Sequence, residues 1–80
     1  MARLLTLEGD EICSLAHLAL KGESFSADVA PHVAAQHAPG EALLRMASGE
    51  LRRVSIAAWT IELEGGRQVG RVRGKLGERA

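Results

Sequence analysis

Residues Val54 to Leu76 read VSIAAWTIELEGGRQVGRVRGKL, two runs rich in β-branched and charged residues joined by Gly65-Gly66. A glycine pair between such runs is a strong hairpin signal, because a two-residue type I′ loop needs positive φ at both positions. That loop sets Glu64 opposite Arg67, Ile61 opposite Gly70, Thr60 opposite Arg71 and Trp59 opposite Val72. One face then carries Trp59, Ile61, Leu63, Val72 and Leu76 with Gly70 and Gly74, and is the core side. The other carries Thr60, Glu62, Glu64, Arg67, Val69, Arg71, Arg73 and Lys75, a solvated charge ladder. Val54 and Ile56 have the wrong parity for the Trp59 face. Either a bulge near Ala57 and Ala58 re-aims the strand, or the two residues cover a second apolar surface.

Outward from the hairpin, the 80-residue length allows one domain, residues 1–80, with a small core. Hydrophobic residues make up 46% of the chain and charged residues 25%, which fits a folded globule rather than a disordered one. Phe25 and Trp59 are the only aromatic residues, so stacking platforms for single-stranded nucleic acid are missing. Cys13 is the only cysteine, which rules out an intrachain disulfide and favours the cytoplasm. The apolar run near Met1 is too short for a signal peptide, and no run approaches the roughly 20 residues of a spanning helix. The formal charge of zero hides a split: residues 67–80 hold five basic residues and one acidic, and residues 1–66 hold five basic and nine acidic. Such a split arises from charges that pair on folding, or else marks two surfaces of opposite sign.

Taken in order, Ala2 to Leu7 alternates weakly and reads as a strand joining the hairpin. Asp10 is a suitable N-cap for a helix over Glu11–Lys21, with Ile12, Leu15, Ala16, Ala19 and Leu20 as its buried stripe and Gly22 closing it. Phe25 then anchors a loop against the core. A shorter helix capped by Asp28, with Pro31 in its first turn, runs to Pro39 and Gly40. A third helix spans Glu41–Ser48, ended by Gly49. No internal repeat, linker or low-complexity segment shows. The fold class is α+β: a small three-stranded antiparallel sheet, N-terminal strand plus C-terminal hairpin, packed against three short helices.

No catalytic constellation emerges. Cys13, His17, His32 and His37 are the only metal-like set, and their spacing matches no zinc pattern, so they read as a small buried thiol and surface imidazoles. Cys13 and His17 lack a third orienting group for nucleophilic work. Asp10 with Glu11 and Glu62 with Glu64 are a helix start and a strand face, not an acid/base pair. Nor do the glycines open a helix as a phosphate loop does. The expectation is a protein that is not an enzyme, with no cofactor and no metal.

Three helices followed by a hairpin is the element order of winged-helix DNA-binding domains, and the run Gly22, Phe25, Ser26, Asp28, Val29, Ala30, Val33, Leu43, Leu44, Gly49 and Leu51 resembles that pattern. The resemblance implies a Gly65-Gly66 wing, a reading helix over Glu41–Ser48 and phosphate contacts from Arg52, Arg53, Arg67, Arg71 and Arg73. The chain also resembles, in overall character and not by motif, the short phage-encoded anti-CRISPR inhibitors. That resemblance is ranked first. It implies a non-enzymatic protein in the cytoplasm of a host bacterium that binds a CRISPR surveillance complex and blocks target-DNA binding or nuclease recruitment. The partner-binding candidates are Glu11, Glu23, Asp28, Glu41 and Glu50, with Arg67, Arg71 and Arg73. A protein partner is expected before a nucleic acid, no membrane is expected, and an exposed sheet edge offers a route to a homodimer.

Overall fold

The computed structural model describes residues 1–79. Within them the chain forms seven strands: β1 Arg3–Leu5, β2 Glu11–Ser14, β3 Ala16–Lys21, β4 Ser24–Val29, β5 Gly40–Arg45, β6 Leu51–Glu64 and β7 Arg67–Arg79. One short helix, α1 Pro31–Gln36, lies between β4 and β5. All strand pairings are antiparallel, in the order β2-β1-β5-β6-β7-β4-β3. The two borders of the sheet, β2 and β3, are consecutive in the chain with only Leu15 between them. The sheet therefore curls round as a narrow half-barrel, its two borders joined through Leu15.

Period-two burial shows which face lines the interior. Phe25, Ala27 and Val29 of β4 are buried while Ser24, Ser26 and Asp28 alternate with them on the outer face. Ala42 and Leu44 of β5, Val54 and Ile56 of β6, and Val72 of β7 point inward in the same way. Leu4, Leu44, Val54 and Val72 are the largest fully enclosed side chains. The interior is tight, so small residues are needed where strands press together. A Cβ on Gly74 would lie 2.2 Å from the Ser55 carbonyl oxygen, and one on Gly70 would lie 2.7 Å from that of Val29. The abundance of alanine and glycine thus reflects a narrow barrel.

The two halves of the chain repeat one topology. β1, β2–β3 and β4 form one meander, and β5, β6 and β7 form another. Their first turns are built alike. Thr6 N donates to Asp10 O and Gly9 N to Thr6 O, just as Met46 N donates to Glu50 O and Gly49 N to Met46 O, with Gly9 and Gly49 at φ 97° and 93°. Where the halves join, corresponding residues pair with each other: Leu4 with Leu44 at one seam and Asp28 with Arg71 at the other. Residue i facing its own counterpart is the signature of a twofold axis. That axis runs from an enclosed leucine pair to an ion pair on the surface.

The hairpin register agrees with the sequence reading at every rung from Glu64–Arg67 to Trp59–Val72. A register shift between Ile56 and Ala58 turns Val54 and Ile56 into the core, as a bulge there requires. Beyond the hairpin the α+β expectation is overturned. Glu11–Lys21 is not a helix but β2 and β3; Glu41–Ser48 is not a helix but most of β5 and its turn; and Asp28 lies within β4 instead of capping a helix. Only the middle helix has a counterpart, six residues long, with Pro31 at its first position and Ala30 as its N-cap. Phe25 is buried, as a strand residue and not in a loop. The first strand joins β2 and β5 rather than the hairpin. The sheet has seven strands, not three. The winged-helix arrangement falls with its helices, since the segment meant to read bases is a strand in mid-sheet.

Candidate functional site: a two-faced hairpin arm

β6 and β7 are 14 and 13 residues long and outreach every other strand. β4 borders β7 only up to Gly70, and β5 borders β6 only up to Ile56, so the hairpin beyond them projects as an arm. The molecule is correspondingly elongated, 38 × 24 × 21 Å. Gly65 and Gly66 close the arm at φ 58° and 78°, the left-handed geometry of a type I′ turn.

One face of the arm prolongs the barrel's interior. Val72 is fully buried, and Trp59 opposite it is half-buried. The Trp59 indole Nε1 donates to the Ala38 carbonyl at 3.2 Å, and its ring meets His37 at a centroid distance of 5.0 Å. The segment after α1 is thereby laced to the base of the arm. Past it the same face opens progressively to solvent: Ile61 is 45% exposed and Leu63 76%. The sequence reading placed both on the core side, and the parity is right, but the core ends at Trp59.

The opposite face is a charge network centred on Arg71. Its guanidinium reaches Asp28 Oδ1 at 3.1 Å, Glu62 Oε1 at 3.0 Å and Glu64 Oε2 at 3.0 Å. Arg73 approaches Glu62 at 3.5 Å, and the Thr60 hydroxyl donates to the same carboxylate at 3.1 Å. His17 Nδ1 lies 2.9 Å from Asp28 Oδ2. His17 occupies a bulge in β3 at φ 53°, a left-handed conformation that costs a branched or bulky residue energy unless its surroundings hold it. The His17 hydrogen bond, and then Arg71, hold the Asp28 carboxyl below its usual range against the opposing effect of desolvation. Three carboxylates in turn push the Arg71 guanidinium still further above its ordinary value, Asp28 first among them. Arg71 is thus occupied internally, and is a clamp between β4, β6 and β7.

The other partner candidates are dispersed. Glu11 on β2 bonds Arg3 of β1, and Glu41 on β5 bonds Arg53 of β6 at 3.1 Å. Glu23 is exposed in the β3–β4 turn, Glu50 sits in the β5–β6 turn, and Arg67 is exposed at the tip of the arm. No single acidic face results. Cys13 is buried on β2, and burial, with Glu11 adding to it, pushes its thiol up to about 11. It is protonated at neutral pH and a poor nucleophile. His32 lies on α1 and His37 against Trp59, so the three histidines are held apart. Among the described residues no three His, Cys, Asp or Glu side chains are grouped to hold a metal ion, and no helix is long and apolar enough to cross a membrane.

His17 was missed as part of the Arg71 network because a helix reading put it on the face of Cys13. Strand alternation from Cys13 and Leu15 would also have put it inward; the bulge at His17, which no alternation marks, turns it outward to Asp28. Compared with family models, curated proteins and solved structures, the chain matches none.

Proposed function

We propose that this chain is a non-enzymatic binding protein that docks a protein partner onto the apolar face of its hairpin arm. The observation that supports it is Leu63, an exposed leucine on a face continuous with the core, carried by a two-stranded arm. An apolar side chain displayed on a braced element favours docking because little ordering entropy is lost when it is covered. The Arg71 network on the reverse face braces the arm and leaves the Ile61–Leu63 face free to bind.

The partner class to try first is a CRISPR surveillance complex, on the character of the chain. In this version the arm does the docking, and DNA access or nuclease recruitment is blocked by the bound barrel. The test is inhibition of target cleavage by purified complexes, with the tagged wild-type chain compared with Leu63→Asp and Arg67→Ala. Stoichiometric inhibition and co-elution that Leu63→Asp abolishes and Arg67→Ala retains are the expected result. Inhibition untouched by Leu63→Asp would overturn the arm as the docking element. Absence of inhibition would overturn the CRISPR assignment.

A further inference from the structure

A shallow groove of about 430 Å³ lies on the outer face of the sheet where β3, β4 and β7 run side by side, away from the apolar face of the arm. Its floor is made of Ala19, Ser24, Ser26, Ala57 and Gly74 over the buried Phe25, and its walls are Lys21, Arg73 and Lys75. The register explains the arrangement. Lys21 pairs with Ser24 and Ser24 with Lys75, which makes one rung; Ala19 pairs with Ser26 and Ser26 with Arg73, which makes the next. Adjacent strands are about 4.8 Å apart, so Lys21 and Lys75 stand roughly 10 Å from each other with the Ser24 hydroxyl between them. Two long, flexible side chains at that separation can both close on an anion seated over Ser24.

The charges of the groove have no internal use. Among the described residues neither Lys21 nor Lys75 forms an ion pair, and Arg73 has only the 3.5 Å approach to Glu62. The remaining acid beside the groove is Glu23, in the turn that connects β3 to β4. Three cations thus face one carboxylate already shared with Arg71 and one exposed glutamate. By contrast, Arg71 one rung further along is saturated by Asp28, Glu62 and Glu64. The groove therefore holds unspent positive charge, with hydroxyl donors in its floor and room for a ligand of nucleotide size.

We propose that this groove binds a phosphate-bearing small molecule, with Lys21 and Lys75 closing on one phosphate above Ser24 and Arg73 beside Ser26 meeting a second anionic group. Ammonium groups supply point charge to a phosphate, the guanidinium supplies a planar fork, and the serine hydroxyls donate to the remaining oxygens. The one aromatic side chain beneath the groove, Phe25, is only 2% exposed, so no ring face is open for stacking and the anion carries recognition. The inference is independent of the arm and of its partner.

Isothermal titration of the full chain at low salt with pyrophosphate, ADP, adenosine and a 20-nucleotide single strand tests it. Pyrophosphate and ADP should bind and adenosine should not. Lys21→Gln/Lys75→Gln should weaken pyrophosphate at least tenfold, and Ser24→Ala/Ser26→Ala should weaken it less, with unfolding midpoints of both variants matching the wild type because all four residues face outward. Leu63→Asp should bind pyrophosphate like the wild type. Failure of pyrophosphate to bind, or equal binding by the lysine variant, overturns the proposal. Binding of the single strand alone, lost in the lysine variant, also overturns it and reassigns the groove to a nucleic acid backbone.

Discussion

Asp28 is the residue on which most of the surface electrostatics converge. It sits at the pseudo-twofold axis, accepts from His17 on one oxygen and from Arg71 on the other, and joins β3, β4 and β7 through its side chain alone. Because its folded-state value is depressed below 3.8, it stabilises the fold fully above that ordinary value, and the contribution disappears as pH falls through the folded value. The unfolding midpoint should therefore drop through the acid range below about pH 4. Asp28→Asn should be less stable at pH 7 and show a flatter acid limb, as followed by circular dichroism melts from pH 7 to pH 2. In His17→Ala the Asp28 carboxyl should titrate nearer its ordinary value, which a carbon-detected NMR titration reads directly. An Asp28 titration unchanged in His17→Ala would show that the depression arises elsewhere.

At the scale of elements, the hairpin was legible and its neighbours were not, for a physical reason carried by the glycines. Gly22 and Gly49 read as helix terminators because a left-handed glycine closes a helix. The same conformation turns a β-hairpin, and at φ 60° and 93° that is what they do. The Leu and Ala spacings in Glu11–Lys21 and Glu41–Ser48 satisfied a helical stripe by composition alone. In the structure, Cys13 and Leu15, and Ala42 and Leu44, alternate into the interior as strands do. Alanine's helix propensity lost to the need for small side chains inside a narrow sheet. The arm itself was readable in register and in its two faces, whereas the point where the core ends at Trp59 depends on where α1 docks, which no local pattern states. Since no strand borders the hairpin beyond Gly70, replacing Glu62–Val69 with a two-residue Asn-Gly turn should leave the melting temperature within a few degrees of the wild type. It should also abolish the binding that Leu63 supports. A large loss of stability in that variant would show that the Arg71 network, which the replacement strips of Glu62 and Glu64, holds the barrel together.

Across the whole molecule, neither meander is complete without the other. Both seams join residues distant in the chain: Leu4 meets Leu44, and Phe25 meets Gly74. Pairings of this separation must be reached before much apolar surface is covered, which places folding in the slow range of about milliseconds to seconds. Separate peptides 1–36 and 37–80 should each lack sheet signal in the far ultraviolet and recover it when mixed in equal amounts. Independent folding of either peptide would contradict the seams as the source of stability. The same dyad has a genetic reading. A chain of about half this length, carrying one meander, would build the barrel as a symmetric pair of copies, leucine against leucine at one seam. Tandem duplication of its coding sequence, with α1 as the strap that tied the copies together, would yield the present order of strands. Once the copies were fused, each could diverge separately. One seam keeps its leucines, while the other now holds an aspartate against an arginine, a pairing of unlike residues that two identical copies could never have made.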